Sequence, residues 1–147
     1  MTKDVVIKIT GLHFDKENPD SEPVELLVAG QYYNRNGKHH VVYEEASEGS
    51  KEPEKNHVKF TSDYLELTKK GTATTNMLFE KGKKNMTYYY TPYGALLIGV
   101  DANKVEVKES DTLIEADVMY GMELNNEHVA DCQLHMEVRP RGSRISL

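Results

Sequence analysis

Between Ile114 and Val138 the chain alternates apolar and polar residues with a period of two, on either side of an Asn125-Asn126 pair. Ile114, Ala116, Val118, Tyr120, Met122 and Leu124 fall on one parity, and Glu115, Asp117, Met119, Gly121 and Glu123 on the other. A β-strand places alternate residues on one face. A helix needs apolar spacings of three and four, which would mix the two sets. The second run repeats the pattern with Ala130, Cys132, Leu134, Met136 and Val138. Asparagine tolerates positive φ, so the Asn pair suits a tight turn. The segment reads as an antiparallel hairpin with one dry face and one mostly wet face.

The rest of the chain reads as more strands with short connections. Val5, Ile7 and Ile9 alternate with polar neighbours, and Gly11 marks a bend that reverses the faces before Leu12-His13-Phe14. Val24 to Tyr33 is a strand with Gly30 on its apolar parity, where a neighbouring backbone or a bend comes close. Asn36-Gly37 is a hairpin signal, and Lys38 to Ala46 is strand-like. Ser47 to Asn56 has no surface to bury and reads as a mobile loop. Strands are expected at His57–Thr61, Tyr64–Lys69, Thr74–Lys81 and Asn85–Thr91. One more runs through Val100, and another lies around Lys104–Lys108. Thr91-Pro92-Tyr93-Gly94 is a bend. No segment carries helical periodicity. An open antiparallel sheet of this length has two edges to manage, and closure removes them. The expected fold is all-β: a single antiparallel up-and-down β-barrel of about 8–10 strands over residues 1–147, with 140–147 a frayed tail. A two-sheet sandwich shares the same alternation and stays open as an alternative.

Composition limits the function classes. With 10 glycines added to 38% hydrophobic residues, about 45% of the chain is apolar, at the low edge of the globular range of roughly 45–50%. No apolar run approaches the roughly 18–20 residues of a spanning helix, and no membrane partner is expected. Eighteen basic against 24 acidic side chains give a net charge of −6. That charge repels phosphate backbones, and the basic groups at Lys81, Lys83 and Lys84 and at Arg139, Arg141 and Arg144 read as solvated turns and tail, so nucleic acid is not an expected partner. The N-terminal residues carry charges where a signal peptide is apolar, and the single Cys132 suits a reducing compartment. A cytoplasmic location is therefore expected.

Three stretches resemble a known family. They are Val41-Val42-Tyr43-Glu44-Glu45, the segment from Lys70-Gly71 through Met77-Leu78-Phe79-Glu80-Lys81-Gly82, and Tyr90-Thr91-Pro92-Tyr93-Gly94. With the Tyr120 hairpin, they make nearly the whole chain similar to the YwiB-like family of small bacterial proteins of unassigned function. The resemblance implies a calycin-like β-barrel, similar to lipocalins, in a bacterial cytoplasm. Where that family often has Arg before the glycine, this chain has Lys70, which lacks the planar fork of a guanidinium. It also lacks the tryptophan of the lipocalin Gly-x-Trp motif.

Site candidates follow from parity. If Tyr43 and Glu45 face inward, Glu45 carries a carboxylate into the barrel, with Lys70 or a tyrosine hydroxyl as its partner. Tyr88 and Tyr90 share one face of their strand, and tyrosine joins an apolar ring to a polar tip. Met77 with Phe79, and Met119 with Met122, read as core, Met77 being able to line a malleable cavity. The interior candidates for a ligand are Tyr43, Glu45, Met77, Phe79, Tyr88, Tyr90 and Tyr120. His39 and His40 splay to opposite faces and His57 is able to approach one of them, but no spacing signature for zinc is present, and no metal or cofactor is expected. Cys132 lies on the apolar parity and reads as a small buried hydrophobe rather than a nucleophile. No catalytic motif is present, and Glu45 is the one lead toward enzyme chemistry. The leading expectation is a barrel that binds a small, partly apolar molecule in its interior or at its mouth. The second is a module that docks a partner or its own copy, as a homodimer, through an outer patch at Leu27 and Val129.

Overall fold

The computed structural model describes residues 3–11, 25–46, 52–71, 74–91 and 93–142. Ten strands follow one another through it: β1 (Asp4–Thr10), β2 (Glu25–Arg35), β3 (Lys38–Glu45), β4 (Glu54–Phe60), β5 (Tyr64–Lys70), β6 (Thr74–Glu80), β7 (Lys83–Thr91), β8 (Gly94–Glu109), β9 (Ile114–Leu124) and β10 (Glu127–Pro140). They form one sheet in the order β6-β5-β4-β3-β2-β1-β10-β9-β8-β7. Consecutive strands pair antiparallel except β6 and β7, which end the order, and β10 returns to pair with β1, Ile7 lying opposite Val138. The result is an up-and-down barrel. Among the described residues no helix is long and apolar enough to cross a membrane.

The two ends of the ladder, β6 and β7, meet at the Lys81-Gly82 turn. There Gly82 N–H donates to the Ala102 carbonyl at 2.8 Å and Lys81 N–H donates to the Asp63 carbonyl at 3.0 Å. Inside that corner the Phe79 ring lies 4.7 Å from the Tyr120 ring. No ladder joins β6 to β7 among the described residues, so β7 keeps one free edge.

Turn chemistry sets the register. Asn36 and Gly37 have φ of 54° and 78°, and Asn125 and Asn126 have φ of 50° and 69°. Two positive-φ residues in a row make the mirror-image turns whose twist matches a hairpin. Gly30 sits where β2 crosses close to β3: a Cβ there would lie 2.5 Å from the Val42 carbonyl oxygen and 2.6 Å from Ile7 Cδ1.

The core follows the alternation. Val5, Ile7, Val118, Leu134, Met136 and Val138 are buried with Val41, Phe60, Leu65 and Phe79 from the opposite wall. Each such side chain contributes roughly 1.5–3 kcal/mol on burial.

Several boundaries differ from the sequence reading. The strand through Val100 and the one around Lys104–Lys108 are a single β8, bent by a register shift between Ala102 and Lys104. β4 begins at Glu54, inside the stretch read as loop, and the rest of that stretch at 47–51 lies outside the described residues. So do Leu12, His13, Phe14 and Pro92, and the tail from 143 onward, although β10 itself runs to Pro140. Met119 is exposed rather than core, because it shares the outer parity with Gln133 and Lys104. Val129 is partly buried against the core instead of forming an outer patch, because the ladder shifts register between His128 and Ala130.

Candidate functional site

Residues directly opposite each other in an antiparallel ladder point to the same face. The inner face of β3 to β6 can therefore be read as rows. His39, Phe60, Leu65 and Phe79 form one row, and Val41, Val58, Leu67 and Met77 the next. Then the chemistry changes: Tyr43, Asn56, Lys69 and Thr75 form the third row, and Glu45 with Glu54 the last. This polar end is the one where β3 finishes and β4 begins.

The polar rows are incompletely satisfied. Asn56 is 2% exposed and Tyr43 4% exposed. The Tyr43 hydroxyl, Glu45 Oε1 and both polar atoms of Asn56 are buried without a hydrogen-bond partner. Glu45 Oε1 lies 3.7 Å from Lys69 Nζ, an ion pair too long to be a hydrogen bond. Burial, then the charge of Glu45, push the Tyr43 phenol well above its ordinary value, so it stays a neutral hydroxyl. The arrangement offers a donor and an acceptor on Asn56, a hydroxyl on Tyr43 and a charge pair, with Met77 and Leu67 as the apolar floor beneath.

The opposite end of the barrel is closed by its own contacts. Tyr32 Oη lies 2.7 Å from His39 Nδ1, and the His39 ring stacks on Phe60 at 5.0 Å. A void of about 10 Å³ between Ile9, Val58, Leu65, Leu67, Leu134 and Met136 is too small for any ligand. The middle of the barrel is side chain.

The residues expected to line the interior therefore separate into groups. Phe79 and Tyr120 are buried against each other as core, and Met77 packs partly buried beside them. Tyr43 and Glu45 do face inward, at the polar end. Tyr88 and Tyr90 do not line the interior: they are 57% and 62% exposed. They pair with Leu97 and Ala95, on the parity of Gly99, whereas the inner parity of β8 is that of Val100 and Ala102. The partner of Glu45 is Lys69 rather than Lys70, because Lys69 shares the inner parity with Asn56. Asn56 and Lys69 are the residues the sequence reading passed over. The signal was there, since Asn56 continues Val58 and Phe60 at period two, and Lys69 continues Leu65 and Leu67.

The histidines do not converge. His40 Nδ1 and His57 Nε2 lie 2.8 Å apart on the outer face, one ring donating and the other accepting, with Tyr33 stacked on His40 at 4.6 Å. Burial lowers both of their pKa values, and nearby cations, Lys59 among them, add to it. No group of three or more metal-ligating side chains exists among the described residues. Burial also raises the pKa of the Cys132 thiol, which keeps it protonated and unreactive.

An all-β barrel of ten antiparallel strands, packed through its middle and polar at one inner end, is the class that fold and site define. By its residues 7–136 the chain belongs to the family described as DUF1934, a domain of unknown function. Among solved structures it is similar to the YwiB protein of Bacillus subtilis, with a TM-score of 0.76 and 16% identity over 94% of this chain and 92% of that one. At that identity the likeness shows the fold. A comparison with curated proteins finds no match.

Proposed function

We propose that the protein binds a small, partly apolar molecule at the polar end of the barrel. The apolar part meets Met77 and Leu67, and a group with both a donor and an acceptor meets Asn56 and Tyr43. The supporting observation is the set of unpartnered polar atoms on Tyr43, Glu45 and Asn56. Each buried polar atom left unpaired costs about 1–3 kcal/mol, so the row gains from any partner that completes it. A neutral amide-like edge fits better than an ion, because Glu45 and Lys69 already balance each other. The cytoplasm suits a chain whose one cysteine is in no disulfide.

Native mass spectrometry of the purified protein, with Asn56→Leu beside it, tests the reading. A bound small molecule present on the parent and missing from the variant is the expected result. A parent with no bound molecule, together with ordered water on Tyr43 and Asn56 in a crystal structure, would remove the ligand.

A second reading, self-association, is favoured by β7. Met86, Tyr88, Tyr89 and Tyr90 are all exposed along its free edge. Two copies paired antiparallel about Thr87 would set Met86 against Tyr88 and Lys84 against Tyr90, with no like charges opposed. Sedimentation velocity over a concentration series checks it, and a species that stays monomeric throughout removes it.

A further inference from the structure

The outer face of β2 to β5 holds a cleft of about 720 Å³, within the roughly 300–1,000 Å³ of small-molecule sites. Gly30, Tyr43 and Asn56, of inner parity, also border it, but most of its lining has outer parity. One outer row across it is Gln31, Val42, His57 and Thr68, and the next is Glu44, Lys55 and Lys70.

Lys55 stands directly opposite Lys70 in the β4–β5 ladder. Like charges in that position repel and destabilise a sheet. Several other lysines of the barrel are neutralised, among them Lys59 by Glu66 at 3.5 Å and Lys84 by Glu123 at 2.7 Å. Neither Lys55 nor Lys70 has a carboxylate within 4.0 Å among the described residues, and Lys69 beside them has turned inward to Glu45. The pair thus makes no ion pair among the described residues, in a chain of net charge −6. Glu44 faces Lys55 from the β3 side without forming an ion pair, so an anion is favoured on the Lys70 side.

Neutral donors are at hand there. Thr68 Oγ1 accepts from Asn76 Nδ2 at 3.0 Å, which leaves its own O–H free to donate. His57 uses Nε2 toward His40, and when His40 is the donor in that bond His57 carries its proton on Nδ1. Val42 and Ala29 supply apolar surface beside them.

We infer that this outer cleft binds a small organic phosphate, its phosphoryl group held between Lys55, Lys70 and the Thr68 hydroxyl and its organic part lying over Val42 toward His57. A dianion with three acceptor oxygens matches two ammonium groups and a hydroxyl, which a single carboxylate does not. The groups that hold the phosphoryl here have outer parity and are not those of the inner site, although Tyr43 and Asn56 border both.

Isothermal titration of the full chain with inorganic phosphate and with glycerol 3-phosphate tests it, in low salt and at about 0.15 M, where exposed charges are screened over roughly 8 Å. The expected result is that both bind and the ester binds more tightly. Lys55→Gln and Lys70→Gln should each weaken binding roughly tenfold, as for one charged hydrogen bond, and the double variant should abolish it. Lys104→Gln, remote from the cleft, should leave affinity unchanged. The lysine variants should unfold no more easily than the parent, since they relieve repulsion. Equal affinity for ester and inorganic phosphate overturns the organic part. No binding of either probe, or binding that survives the double variant, overturns the site. Met77→Ala, on the apolar floor of the inner site and outside the cleft lining, should leave phosphate binding unchanged, so failure here and failure at the inner site are told apart.

Discussion

The β8–β10 wall and the β3–β5 wall face each other across one interior, yet they use their inner parity differently. On β9 every inner residue from Ile114 to Met122 is apolar and buried. On β3, β4 and β5 the inner parity starts apolar at Phe60 and Leu65 and ends at Asn56, Lys69 and Glu45. A barrel held together along one wall can carry unpaired polar groups at the end of the other, because the fold does not depend on them. The difference separates what stabilises this protein from what is free to bind.

The largest expected effect comes from weakening the junction of the two walls. Phe79, fully buried against Tyr120, joins β6 to β9 across the interior. Phe79→Ala should cost about 3–5 kcal/mol in chemical denaturation, the usual range for deleting a buried aromatic ring. A loss under about 1 kcal/mol would mean that the corner at β6 and β7 is not part of the core.

The contrast can be inverted within one strand. Asn56 and Val58 are both 2% exposed and both inward on β4. Val58→Asn puts an amide into an apolar row and should cost about 2–3 kcal/mol. Asn56→Leu removes two unpartnered polar atoms and should change stability by less than about 1 kcal/mol in either direction. Equal losses at the two positions would show that Asn56 is hydrogen-bonded in solution and that the polar row is structural.

Much of the fold was legible because one kind of signal was strong. In β9 and β10 polar residues separate apolar ones without a break, and Asn125-Asn126 announces the turn. Gly30 was readable as a close approach for the same reason, since it interrupts an apolar parity. Parity failed where residues on both faces look alike: Tyr88, Tyr89 and Tyr90 carry no alternation, and a slip of one residue exchanges the faces. Only the pairing of β7 with β8 decides it. The polar end was hidden for the opposite reason. Asn56 and Lys69 look like loop residues, because a strand that turns polar on its inner face resembles a strand that has ended.

A smaller effect, of opposite sign on the two walls, is expected with pH. His40 and His57, on β3 and β4, have pKa values lowered by burial. Lys59 faces both of them, Arg35 and Lys38 add to the effect at His40 and Lys70 at His57, while Glu66 opposes it at His57. Above the unfolded value of about 6.5 both rings are neutral in either state, and the stability this pair contributes is fully present. As pH falls through that value the unfolded chain takes up protons that the folded pair resists, and the contribution is lost. On β10, burial lowers the His135 pKa, but hydrogen bonds donated by its ring to Asp117 at 2.7 Å and Glu137 at 3.3 Å outweigh it and the net shift is upward. Its contribution is present below about 6.5 and lost as pH rises through the folded value. Denaturation curves from about pH 7.5 to about pH 5 should show His57→Gln flattening the acid loss and His135→Gln steepening it. Changes of the same sign would break the comparison.

The smallest effect on stability belongs to the outer faces, where a pair of exposed residues separates decoration from interface. Leu27 on β2 is 48% exposed and Tyr90 on β7 is 62% exposed. Leu27 has Lys8 across the β1 ladder and is a lone exposed apolar side chain on β2, whose pairing with β3 begins only at Gly30. Tyr90 lies on the strand with the free edge, beside Tyr88 and Tyr89. Either residue changed to serine should shift stability by no more than about 0.5 kcal/mol, as for surface positions generally. Their effects on association should differ: Tyr90→Ser weakens self-association in sedimentation velocity if β7 pairs with its copy, and Leu27→Ser does not. If Leu27→Ser dissociates a dimer and Tyr90→Ser leaves it intact, the contact lies on the β2 face and the exposed tyrosines of β7 play no part in it.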